Sequence, residues 1–278
     1  MILALGPALA GVVVTVDGVG GPVTQSQRLM LQSTLDRVGV FYTSSLGVRL
    51  PDPLPMHVVV YLDREAFEGH RSRAGAPGWS EGWFRTTAAG PEAVPWGGDG
   101  MRAIFLHEAS HHLLAHAGRS PRWLNEGLAQ VMETARVSGN ALTVTTPPRY
   151  GQILAQVGRP TVDAILTNPS TWTDLPADQA GPLYVQGWAL TALLLGSAEG
   201  QATVRAVLAG DGSPASTRAA IESTYPGGMT ALETRYARWR PDASFVLPTP
   251  IQAKPAANDA LWIRCADGRL VARSVGCR

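Results

Sequence analysis

Two imidazoles stand four residues apart in His107-Glu108-Ala109-Ser110-His111, with a carboxylate directly after the first. On a helix, four residues turn the chain through about 400° and raise it about 6 Å, so both rings share one face. Two neutral ring nitrogens so placed can hold one Zn²⁺ at roughly 2.0–2.1 Å each. Glu108, displaced around the same helix, then has the reach of a general base beside a metal-activated water. Chance does not account for the pattern. With 6 His in 278 residues, a random occurrence is expected roughly 0.005 times per chain, and the spacing is a known zinc signature. Catalytic zinc takes three protein ligands and keeps a fourth position open. No third His follows at the metzincin spacing. The third ligand is read as Glu126, in the first turn of the next helix, which the Ala117-Gly118-Arg119-Ser120-Pro121 turn folds back antiparallel on the first.

The pair of segments HEASH and Trp123-Leu124-Asn125-Glu126-Gly127-Leu128-Ala129 resembles the gluzincin metallopeptidases, especially the peptidase-MA-like group. The resemblance is strongest over 101–135 and weaker over 56–100. It is weaker again over 182–196, where LYVQGWALTALLL is similar to that group's downstream Tyr-bearing helix. The resemblance implies an α+β, mostly helical zincin-like domain with a small N-terminal sheet and a helical C-terminal half. It implies Zn²⁺ bound by His107, His111 and Glu126, Glu108 as catalytic carboxylate, and a peptide or protein substrate. Two departures exclude the typical members. The GAMEN motif of the aminopeptidases is absent, and Gln130 stands where thermolysin-like enzymes place an Asp.

Around this set, Asn125 reads equally as a group that orients a ligand or binds substrate backbone, and as one that satisfies a local amide. Glu133 returns to the face of Glu126 and could hydrogen-bond a ligand His, or stand solvated. Tyr184 is the candidate donor to a developing oxyanion, with a packing role as the alternative and Tyr150 as a second choice. His112 and His116 read as packing or surface residues, and His57 and His70 carry no assignment. Trp79, Trp83 and Trp96 could line a cleft rim.

The elements that must position these side chains follow from periodicity. A helix is expected over 24–46 (Leu29, Leu31, Leu35, Val38, Phe41), a buried strand over 56–62, a short helix over 63–72 capped by Asp63, and strands near 83–87 and 93–96. Helices follow over 101–117 and 121–136, the latter with Ser120 as N-cap and Pro121 at N1. Further helices are expected near 149–157, 161–167, 182–197, 200–209, 215–224 and 228–239. Residues 1–20 form an apolar segment, read as a strand around Val12–Val16 or as the remnant of an export signal. Residues 21–241 form the catalytic domain, and 242–278 a linker with a terminal hairpin.

Lys+Arg 23 against Asp+Glu 22 leaves a net charge of +1 and no basic run, which argues against nucleic acid as partner. No apolar stretch reaches the length of a membrane span. Cys265 and Cys277 flank a turn signal at Asp267-Gly268 and suit a disulfide, hence an extracytoplasmic location, periplasmic or secreted. The oligomeric state is left open. The competing function is a non-catalytic zincin-like envelope binding or assembly protein that retains zinc. An intact Glu108 argues against it, because a structural zinc site needs no base.

Overall fold

The computed structural model describes residues 11–87, 90–138, 141–168, 172, 175–247 and the backbone of 262–264 and 270–272. The fold is α+β and mostly helical, with small sheets. Among the described residues, no helix is long and apolar enough to cross a membrane.

The first sheet has the order β1-β2-β4-β3, built from β1 (Val12–Val19), β2 (Leu54–Tyr61), β3 (Gly82–Thr87) and β4 (Gly90–Pro95). The first three neighbours run parallel, and β3 closes the sheet antiparallel to β4. The apolar run at 12–16 is thus a strand, and residues before 11 lie outside the description. Helix α1 (Gln25–Ser44) makes the crossover from β1 to β2. It starts on a capping box in which Thr24 and Gln27 satisfy each other's backbone amides. Leu31, Leu35, Val38 and Tyr42 bury its inner face, whereas Leu29, expected on that stripe, points to solvent at 57% exposure. Two polar side chains of α1 reach the outer edge of β1. Gln32 accepts from the Val14 amide and donates to the Val12 carbonyl, and Arg28 donates to the Val16 carbonyl. Helix α2 (Arg64–Ala74) is capped by Asp63 as expected and stops at Gly75, whose φ of 68° a side chain would resist.

The motif helices are α3 (Met101–Ala115) and α4 (Arg122–Glu133). Gly118, at φ 90°, reverses the chain between them. The N-cap of α4 is Pro121, not Ser120, and it makes no side-chain cap bond. Nor does α4 run to 136. At Ala135 the chain enters β5 (Ala135–Ser138), which pairs with β6 (Ala141–Thr145) in a hairpin that the helical periodicity hid. The segment after 241, expected as linker, begins with β7 (Ser244–Leu247), which pairs with β6 and completes a three-stranded sheet.

The remaining helices are α5 (Pro148–Val157), α6 (Val162–Leu166), α7 (Ala177–Leu195), α8 (Ala198–Leu208), α9 (Pro214–Thr224) and α10 (Gly228–Arg238). Helix α7 starts five residues before the expected position and carries Pro182 inside its first turns. It is buried from Val185 to Leu195, save Gln186 at half-burial, because it is apolar on nearly every face. It crosses α4 closely where two glycines meet. A Cβ on Gly127 would lie 2.6 Å from the Gly187 carbonyl oxygen, and one on Gly187 would lie 2.8 Å from that of Trp123. The C-terminal hairpin pairs β8 (Trp262–Arg264) with β9 (Leu270–Ala272) antiparallel. Cys265 and Cys277 lie outside the described residues.

Candidate metal centre

The centre forms where α3 and α4 pack antiparallel beside β3. His107 and His111, one turn apart on α3, present their rings edge to face with centroids 4.8 Å apart. Glu126, on the second turn of α4, places Oε2 3.5 Å from Nε2 of His107 and 3.7 Å from Nε2 of His111. Ligand atoms of the three residues all lie within 4.8 Å of one another, so the group could hold a metal ion. A tetrahedral ion with bonds of 2.0–2.1 Å separates its ligands by about 3.3 Å, close to both spacings. Oε2 is buried with no hydrogen-bond partner, a costly state for a carboxylate oxygen unless something binds it. The residues fit a metal.

The far side of each ring is also engaged. Nδ1 of His107 bonds Oε1 of Glu133 at 2.7 Å, and Nδ1 of His111 bonds Oδ1 of Asn125. Each acceptor requires an N–H at Nδ1, which leaves Nε2 as the nitrogen that faces Glu126 and that a metal would take. Asn125 is fixed in turn by donating its amide to Ser120 at 2.7 Å. The serine expected to cap α4 therefore supports a histidine instead. Arg102 of α3 donates to the backbone carbonyls of Glu133 and Ala135, tying the end of α4 to the start of α3.

Electrostatics follow from burial. Glu108 is 7% exposed, and burial pushes its carboxyl up to about 7, against the pull of His107 and the Phe84 backbone amide. Burial lowers His111 to about 4. It also disfavours a charged His107, but the Glu126 and Glu133 carboxylates beside the ring outweigh it and hold His107 well above the imidazole range. Burial would raise Glu126, yet His111, His107 and Arg122 together bring it down to about 2. A metal entering here must displace the His107 proton.

Glu108, His107, His111 and Glu126 line a cleft of about 620 Å³. One wall comes from Trp79, Trp83 and Phe84, the other from α5 and α7 through Tyr150, Ile153, Tyr184 and Val185. Trp79 meets Tyr184 edge to face, with ring centroids 6.1 Å apart. Burial pushes Tyr184 up to about 12, so its phenol is neutral at physiological pH. Tyr150 lines the cleft but also packs edge-on against Trp188 in the core. Trp96, expected at the rim, instead packs on Phe67 under the Arg64 guanidinium. His112 is buried against Phe84 and bonds the Pro55 carbonyl, while His116 is exposed. His57 stands on β2 between Asp17 and Glu92, and His70 stacks between Tyr61 and Trp83.

Sequence reasoning missed Arg122, whose Nη2 lies 2.9 Å from Oε1 of Glu126. Its only signal was the i,i+4 spacing to Glu126. Gln130 was noted only as a departure, yet it lines the cleft with a buried Oε1 that lacks a partner. The carboxylate that orients His107 is Glu133, two turns along α4 from Glu126. No family model matches the chain, and no curated protein matches it either.

Proposed function

We propose that this protein is a zinc-dependent hydrolase of the gluzincin type that cuts peptide bonds, acting outside the cytoplasm. The observation that carries the reading is the unpartnered Oε2 of Glu126 facing the Nε2 atoms of two histidines, with the Glu108 carboxylate in the same cleft. A zinc ion held by His107, His111 and Glu126 would supply a Lewis acid that polarises a carbonyl and acidifies water. Glu108 takes the proton of the attacking water and delivers it to the leaving amine. Tyr184 donates its O–H as negative charge grows on the carbonyl oxygen. The aromatic side chains lining the cleft offer apolar surface to a bound chain.

The test is Glu108→Gln in zinc-loaded protein, assayed on an unstructured protein substrate. Zinc content and fold should be retained while turnover falls about 10²–10⁴-fold. Undiminished turnover would reject Glu108 as base. A zinc-loaded wild type that cuts nothing across a broad peptide library favours the binding or assembly reading instead.

A further inference from the structure

We propose that Arg122 is a positioning residue: it engages one oxygen of Glu126 and so limits that side chain to one free carboxylate oxygen. This rests on the reading of His107, His111 and Glu126 as metal ligands.

An Arg–Glu pair at i,i+4 is ordinarily a solvated surface contact of small value. Here the Glu126 side chain is only 4% exposed and that of Arg122 28%. Nη2 of Arg122 takes Oε1 of Glu126 at 2.9 Å, while Oε2 has no partner and faces the two imidazoles. The two oxygens are thereby given different tasks, and the carboxylate cannot turn both toward an ion without giving up its bond to Arg122.

A guanidinium can only donate, so Oε1 stays committed to Arg122 while Oε2 keeps its lone pairs for an ion. The arginine is kept although its Nε is buried without a partner, a cost that a pair serving stability alone would not need.

The full chain loaded with Co²⁺ in place of zinc reports the coordination directly. Wild type should show the intense visible absorption of a four-coordinate site. In Arg122→Met, Glu126 is free to engage through both oxygens, and the absorption should weaken by about twofold or more as the site becomes five-coordinate. Arg122→Lys should keep the wild-type spectrum, because an ammonium still takes Oε1. With zinc, kcat of Arg122→Met should fall roughly 10–100-fold with little change in KM, and Arg122→Lys should restore most of it. A cobalt spectrum in Arg122→Met identical to wild type overturns the proposal, as does an Arg122→Lys spectrum that follows that of Arg122→Met. A wild type that binds no cobalt overturns the metal centre instead. If wild type binds cobalt but hydrolyses nothing, the hydrolase reading fails while the spectra still decide the role of Arg122.

Discussion

Glu133 and Asn125 occupy the two Nδ1 positions and so choose the tautomer that can bind metal. Replacing either by Ala frees a ring to rotate or to protonate Nε2. Metal affinity should fall about 10–100-fold in each variant, measured by competition with a chromogenic chelator; unchanged affinity would show that the rings are held by packing alone. Tyr184→Phe removes one O–H and nothing else. It should leave zinc binding intact and lower kcat by about 10²-fold, read from steady-state kinetics on any confirmed peptide substrate. Much of this set was legible in the sequence, because helical geometry alone fixes His107, Glu108 and His111 relative to one another, and Glu133 relative to Glu126. The choice between roles at Asn125 was not, since it turns on which way a short amide points. Arg122 was invisible for a different reason: its spacing is that of countless exposed ion pairs, and only the burial of its partner sets it apart.

The crossing of α4 and α7 is where element packing reaches the chemistry. Gly127 follows Glu126, and a methyl there would press on Thr191 and the Gly187 carbonyl of α7. Gly127→Ala should cost about 1–3 kcal/mol through overpacking. It should also weaken metal binding, because α4 can yield only by moving Glu126; thermal unfolding and a zinc titration on the same sample check both halves. On α1, burial raises Asp36 to about 6 from an ordinary 3.8, despite a hydrogen bond from Gln32. The folded form therefore holds the proton more tightly than the unfolded chain. The stability this gives is full below the unfolded value and is lost as pH rises through about 6. Above that, the buried carboxylate costs about 3 kcal/mol, so Asp36→Asn should raise the melting temperature by several degrees at pH 7.5 and scarcely at pH 4. The long amphipathic elements were readable from their periods. The β5–β6–β7 sheet was not, because Val131, Met132 and Ala135 continue the apolar rhythm of α4, and the partner β7 lies about a hundred residues away, where no local signal reaches.

At the scale of the whole molecule, the cleft lies where the first sheet meets the helical half, and both contribute a wall. If Cys265 and Cys277 are bridged, as their flanking of the hairpin turn suggests, reduction should leave zinc content unchanged while loosening only that appendage; mass spectrometry of non-reduced peptides and metal analysis before and after dithiothreitol decide it. The grip of Gln32 and Arg28 on β1 has a reach beyond the native fold. The strand opens with Val12-Val13-Val14-Thr15-Val16, β-branched at every position, uncharged and free of proline, the composition of a segment that seeds fibrils once its rim is bare. With α1 seated, three backbone groups of that rim are already taken. Lifting α1 would bare them, so the docking of one helix is expected to set how readily this chain polymerises. Gln32→Ala should accordingly shorten the lag of thioflavin-positive aggregation under mild agitation while leaving zinc binding untouched. A glutamine far from the chemistry would then decide how long a concentrated solution of this protein keeps.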